Sequence, residues 1–438
     1  MRILFFWVVF PCFVFGQIRI DVPMTFYCPP EMPKPQLAPA TYKICWDIDF
    51  SPYSGGEDLL FGTRVVEKIE TWIFGKSPVL TSKSMYARTW RLSELIMFWM
   101  PVNYLAVVTQ HEVFGHGYRI RDINQGRVKV KGYYINVPPP YGEGGGATAY
   151  ETNGKLTTTQ DACLSMAGVE STAILALLTK FKWLESGRVD PRQTILYLLS
   201  QHDLNLYIGS LKSQGDIEGH DIKCYIESVN YTYPDNLLSG GRLRSLSWIN
   251  LADPFTFYAI WAWFHYLSSG KETQIPMIAS CYLPGVRLGL TPFGPDVFFE
   301  NFFSFCNQPY YAYIKGGHHA KNQYYGFGFY APRIWQIKRW SFGARVDLWR
   351  QPKLILQQGA VPISDIDFHV KPSLSDPLYP STERHAVRYG GAGSLIVFFQ
   401  GNRKCGFELE TGYKAQGFLP GYSLKAFPTV RLAFSLVF

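Results

Sequence analysis

Charge is scarce in this chain: Asp, Glu, Lys and Arg make up 17% of residues, against roughly 25% in an average soluble protein. With 47% hydrophobic residues, that balance excludes a disordered or fibrous chain. The formal net charge is +8, yet no dense Lys/Arg run with interleaved aromatics occurs, which excludes a surface that tracks a nucleic-acid backbone. None of the eight cysteines forms a CxxC pair, so a cysteine metal site is excluded too. No helical apolar run reaches the roughly 18 residues needed to cross a bilayer. The apolar helices are therefore expected to be packed or interfacial. There is no internal repeat.

Aromatic residues, by contrast, are abundant, with 28 Tyr, 32 Phe and 12 Trp in 438 residues. Rings with one apolar side and one wet edge are favoured at membrane interfaces and in barrel girdles. The N-terminus, Met1-Arg2 followed by ILFFWVVFPCFVF, has the size of a secretory h-region, with cleavage expected before Gln17. The mature chain then holds seven cysteines, an odd number that leaves at least one free thiol. Cys28 with Cys45, both in a Pro-rich stretch, is the most plausible disulfide.

The C-terminus reads as a strand with one greasy side. In residues 429–438, Val430, Leu432, Phe434, Leu436 and Phe438 fall on one face, with Thr429, Arg431, Ala433 and Ser435 on the other. The alternation and terminal Phe resemble the closing strand of bacterial outer-membrane β-barrels. Residues 407–413, 342–348 and 325–330 repeat the period, and about eight such segments follow residue 277, near the minimum for a closed barrel. A soluble antiparallel sandwich gives the same period.

Composition shifts divide the chain. A signal peptide is expected at 1–16, an irregular segment at 17–55, a mainly helical domain at 56–276 and an antiparallel β-barrel-like domain at 277–438, giving an α+β fold. Apolar faces predict helices at 64–74, 91–117, 158–182, 191–212 and 252–269. Pro138-Pro139-Pro140 and the Gly-rich 142–146 interrupt them with an extended loop.

One motif carries chemistry: His111-Glu112-Val113-Phe114-Gly115-His116. Histidines four apart on a helix share a face and can hold one zinc, while a neighbouring Glu activates water. Here the spacing is five, which on a regular helix turns the second His about 140° away from the first. Both can reach one metal only if an extra residue widens the turn, and Gly115 sits where such a π-bulge is needed. The string resembles the HExxGH motif of the dipeptidyl-peptidase III family of zinc metallopeptidases. The resemblance implies His111 and His116 as zinc ligands, Glu112 as general base, and a third ligand from a Glu some fifty to sixty residues downstream. In that window Glu170 stands in an apolar helix with small neighbours Ala167, Gly168 and Ala173, and a lone carboxylate there needs a partner or a metal. Glu170 is the first choice for third ligand, although the family's paired-Glu signature is absent. His202, Asp203, His220 and Asp221 are reserves. Asp161 is read as a helix N-cap or an acceptor behind a ligating His. The Tyr133 to Tyr150 loop could hold an extended peptide.

These readings lead to an exported zinc metallopeptidase-like protein of the bacterial cell envelope. It takes peptide or protein substrates, needs Zn²⁺, contacts a lipid bilayer through an outer-membrane β-barrel and binds no nucleic acid. The alternatives are a non-catalytic outer-membrane structural or transport protein with a vestigial motif, and an inner-membrane zinc protease. The short apolar runs and C-terminal strands disfavour the latter.

Overall fold

The computed structural model describes residues 40–74, 82–124, 128–153, 156–211, 219–305, 308–356, 385–402 and 404–437, which all fall within one compact unit. The expected signal peptide, Cys28 and Phe438 lie outside the described residues.

Most of the strand periodicity yields a single sheet. Strands β6 (Tyr282–Thr291), β7 (Gly294–Phe305), β8 (Gln308–His319), β9 (Asn322–Ile337), β10 (Trp340–Pro352), β11 (Val387–Gln400), β12 (Cys405–Lys414) and β13 (Phe427–Val437) form an antiparallel meander. A ninth strand comes from the segment expected to be irregular. Thr41–Asp47 is β1, and it pairs with β13 from Thr41↔Val437 to Asp47↔Arg431. Its Cys45 carries a buried free thiol, so no disulfide engages it. The order is β1-β13-β12-β11-β10-β9-β8-β7-β6, and among the described residues β6 and β1 do not pair. The sheet is open, with two edges, where a closed barrel was expected.

Its polarity is inverted relative to a water-soluble sandwich. On β13, Val430 and Leu432 are exposed while Arg431, Ala433 and Ser435 are buried. The same alternation puts Phe299, Ile314, Phe327, Leu348 and Leu395 outside. The covered face holds ion pairs: Lys43–Glu408 at 2.8 Å, Arg287–Glu300 at 2.8 Å and Arg431–Glu410 at 2.6 Å.

Helices occupy that covered face. α1 (Pro52–Phe74) begins well before the expected residue 64. Gly55 and Gly56 weaken the helical signal locally, but they are needed for packing, since a Cβ at Gly55 would meet the Phe114 ring and one at Gly56 the Leu178 side chain. α2 runs unbroken over Met85–Ile123, with π turns at Glu94–Trp99 and Glu112–His116. Its 39 residues make it, against expectation, the one described helix long and apolar enough by itself to cross a membrane. Regular turns link apolar runs that are short in sequence. The hairpin β2 (Val128–Ile135) and β3 (Gly146–Thr152) replaces the expected Tyr133 to Tyr150 loop. α3 (Thr158–Ser165) and α4 (Ala167–Ser186) meet at a 46° bend.

α4 is buried nearly all round, as a central helix must be. Its Lys180 ammonium lies 2.6 Å from Asp253 and 2.9 Å from Glu300 of β7, and Phe181 packs edge-on against Phe302, Tyr311 and Tyr330. The two-residue strands β4 (Arg188–Val189) and β5 (Thr273–Gln274) flank α5 (Thr194–Ser210), α6 (Asp221–Thr232), α7 (Gly240–Leu251) and α8 (Pro254–Ser269). α6 and α7 had no counterpart among the expected helices. Residues on both sides of position 276 share cores: Tyr225 and Leu243 lie in one cluster with Leu288, Leu290 and Tyr324.

Candidate metal centre

The π turn at Glu112–His116 brings the two histidines together. His111 Nε2 and His116 Nε2 lie 3.2 Å apart. A Cβ on Gly115 would stand 2.8 Å from both Ala167 O and Gly168 Cα. The widened turn therefore rests directly on the α4 backbone. A Cβ on Gly168 would fall 2.1 Å from His111 Nε2, so only glycine there leaves the imidazole its position.

The third group is Asp221, at the first turn of α6. Its Oδ2 lies 3.0 Å from His111 Nε2 and 3.1 Å from His116 Nε2. The three ligand atoms form a near-equilateral triangle. Ligands about 2.1 Å from one tetrahedral zinc stand roughly 3.4 Å apart, so a few tenths of an ångström of expansion would admit the ion.

Second partners fix the proton on each ring. His116 Nδ1 is 2.9 Å from the Leu164 carbonyl oxygen, which can only accept, so that nitrogen carries the hydrogen. His111 Nδ1 is 2.8 Å from Asp203 Oδ2, which also accepts from Thr172 Oγ1 at 2.8 Å. In the neutral tautomers both Nε2 lone pairs then face each other and the Asp221 carboxylate. Three electron-rich atoms this close need a cation, a proton or a metal, among them. With protons rather than a metal among these atoms, burial works against the Asp221 anion, but the His116 charge and the imidazole hydrogen bonds outweigh it and hold the carboxyl well below the usual carboxylate range. Tyr207 of α5 stacks on the His111 ring at 5.2 Å, its hydroxyl 3.2 Å from His111 Nε2.

Glu112 is buried beside the triad, and its Oε2 accepts from Thr148 Oγ1 of β3 at 2.7 Å. Glu112, His116, Tyr207 and Asp221 open onto a cleft of about 460 Å³, walled on another side by Gly146, Ala147, Thr148 and Tyr150 of β3. β3 pairs only with β2, which leaves its other edge free of partner strands among the described residues.

The remaining candidates sit elsewhere. Glu170 is not at the centre: its oxygens accept from Arg119 at 2.9 and 3.1 Å and from the Gly421 amide at 2.6 Å. The buried carboxylate does have a partner, but that partner is a guanidinium. Asp203 stands behind His111, on Nδ1, instead of on the Nε2 side that faces Asp221. His220 caps α6, accepting from Lys223 N at 3.3 Å, with Ser210 Oγ 3.0 Å from its Nε2. Among the described residues His202 reaches only Thr256 Oγ1, at 3.2 Å. Asp161 is neither the helix cap nor an acceptor behind a ligating His: Thr157 caps α3, and the Asp161 carboxylate accepts from Ser228. Burial, tempered by that hydrogen bond and reinforced by Glu227, pushes the Asp161 carboxyl up to about 6.

No known protein family, no curated protein and no solved structure matches this chain.

Two substitutions separate ligand from scaffold. Gly168→Ala should displace His111 and weaken zinc affinity at least about tenfold, with helix content unchanged by circular dichroism; unaltered affinity in isothermal titration would contradict the geometry. Glu170→Ala leaves the fully buried Arg119 short of one carboxylate and should cost roughly 3 kcal/mol of stability. Metal content should stay intact in the folded fraction, and its loss there would restore Glu170 as a ligand.

Proposed function

We propose that the chain is a zinc-dependent hydrolase of peptide bonds, held in the bacterial outer membrane by the outer face of its sheet. The observation that carries the first half is the convergence of His111 Nε2, His116 Nε2 and Asp221 Oδ2 within 3.0 to 3.2 Å of one another beside a buried glutamate. Three protein ligands, two imidazoles and a carboxylate, match the donor set of catalytic zinc, which keeps its fourth position open. Zinc, when bound, polarises a carbonyl and lowers the pKa of water towards about 7.

The chain's own groups supply the rest. Glu112, on the residue after the first ligand, takes the proton of the attacking water, and Thr148 keeps its carboxylate turned into the cleft. Asp203 and the Leu164 carbonyl hold the imidazoles in the tautomer that points Nε2 at the metal. The free edge of β3 offers backbone groups with which an extended peptide can pair. Tyr207 borders the same cleft. The second half rests on the inverted sheet, whose apolar outward face suits acyl chains and whose ion-paired inward face does not.

The test is metal analysis paired with hydrolysis. His111→Ala, His116→Ala and Asp221→Ala should each lose zinc, measured by plasma emission on the purified protein. Glu112→Gln should retain it and lose at least about 100-fold in cleavage of a mixed fluorogenic peptide pool. Full zinc occupancy in the His111→Ala, His116→Ala double variant would sink the metal reading. Cleavage undiminished in Glu112→Gln would sink the catalytic one and favour a structural or transport role.

A further inference from the structure

We infer that the open sheet is closed by helices into a hybrid barrel, and that the outward faces of α1, the first half of α2 and α8 meet lipid acyl chains just as the strands do. This rests on the reading that the sheet's outer face lies in a bilayer.

Hydrocarbon offers no hydrogen bonds, so a sheet edge left open in lipid carries unpaired amides and carbonyls at a cost of several kcal/mol each. At both edges of this sheet, helix side chains meet such groups. On β6 the Leu288 amide donates to Asn250 Oδ1 of α7 at 2.6 Å. On β1 the Cys45 amide donates to Asp58 Oδ1 of α1 at 2.6 Å, and the Thr41 amide to Glu185 Oε2 of α4 at 3.2 Å. The Thr41 carbonyl accepts from Lys182 Nζ at 2.7 Å.

The elements between the edges form an unbroken chain of contacts. α1 packs along β1 and α8 against β6. α1 meets α2 through the Trp99 Nε1 to Glu70 Oε1 hydrogen bond at 3.0 Å and the Phe74–Trp90 ring pair. α2 meets α8 through Arg91, which donates to the Leu267 carbonyl at 2.7 Å. The polar groups of this seam, Arg91, Glu70 and the Trp99 indole N–H, are buried.

Outward it is apolar. On α8, Phe257, Ile260, Trp261 and Phe264 fall on one helical face and are exposed, while Phe255, Ala259, Ala262 and Tyr266 fill the inside. Trp72 of α1 is 84% exposed and Trp261 of α8 61%. Only 39% of the most apolar stretch of α2 is buried, less than a core helix requires. In water such a patch is a liability. Next to strands that also turn aromatic side chains outward, it continues a single surface of one chemistry, and acyl chains are the occupant that this continuity favours over a second copy of the chain.

The experiment places the photocrosslinker p-benzoylphenylalanine singly at Trp72, Trp261, Leu432 of β13 and Glu143 of the exposed β2–β3 turn. The full-length zinc-loaded protein is reconstituted in phosphatidylethanolamine and phosphatidylglycerol vesicles, and adducts are read by mass spectrometry. Lipid adducts at 72, 261 and 432, and none at 143, are expected. Adducts at 432 without any at 72 and 261 would overturn the hybrid barrel and leave the membrane reading standing, as would protein–protein adducts at 261. No lipid adduct at 432 would remove the membrane reading, and the inference with it. As an independent readout, Trp261→Lys should lower vesicle-bound protein about tenfold relative to Trp261→Leu; equal recovery would overturn the proposal.

Discussion

Everything at the centre depends on how closely α2 approaches α4. At Gly115 and Gly168 the two backbones touch, with no room for a methyl group on either side. The π turn that makes this possible does two things at once. It swings His116 round to His111, and it presents Gly115 to the partner helix at the point where the His111 ring slides over Gly168. A π turn gives up regular hydrogen-bond geometry, and the packing it permits offsets that loss. α4 then runs on from the histidines to the sheet interior, where Lys180 and Phe181 engage β7, β8 and β9. One buried helix therefore ties the position of the histidines to the inside of the sheet.

The string His111 to His116 was informative because its spacing is wrong for a regular helix: two ligands 140° apart are useless unless the chain deforms, and glycine marks where it can. The strands were legible for a similar reason, since an alternating face survives in sequence whatever it packs against. What a single strand's period cannot encode is who stands at the edge. β1 falls in a Pro-rich region with little alternation, and its pairing with β13 is a contact between the two ends of the chain. The openness of the sheet was invisible for the same reason.

Glu170 and Asp221 show where local reasoning stops. A carboxylate in an apolar helix does need a partner, but sequence does not say which. Arg119 follows His116 by three residues, close enough on α2 to meet α4 beside the candidate metal centre without joining it, and it takes Glu170. With Asp122, Ser423 and the Gly421 amide this pair clamps the β12–β13 connection onto the helices. The sequence that follows Asp221 does carry a readable signal. Ile222, Tyr225, Ile226 and Val229 repeat at i, i+3, i+4 and i+7, an amphipathic helix whose first turn favours an acidic residue. Its partnership with histidines more than a hundred residues earlier is a product of tertiary folding alone.

The ion pairs inside the sheet bear on why the fold has this polarity. A buried pair is often no better than apolar residues of the same volume, because desolvation consumes the Coulombic gain. A sheet that faced water would gain by exchanging its faces, burying Phe299, Phe327 and Leu432 and exposing Glu300, Asp347 and Arg431. The sequence does the reverse on successive strands, and it gives Glu300 and Arg431 ion-pair partners at 2.6 to 2.9 Å. That arrangement is favourable when the outer medium is the less polar of the two, for then the charges pay for one desolvation on either face and gain their partners only on the inner one. The same condition requires the amides of β1 and β6 to find partners within the chain, and helix side chains meet them at Leu288, Cys45 and Thr41. On the proposed membrane reading, the polarity of the strands and the covering of the edges answer to one constraint, an apolar surrounding, although they arise from segments far apart in sequence.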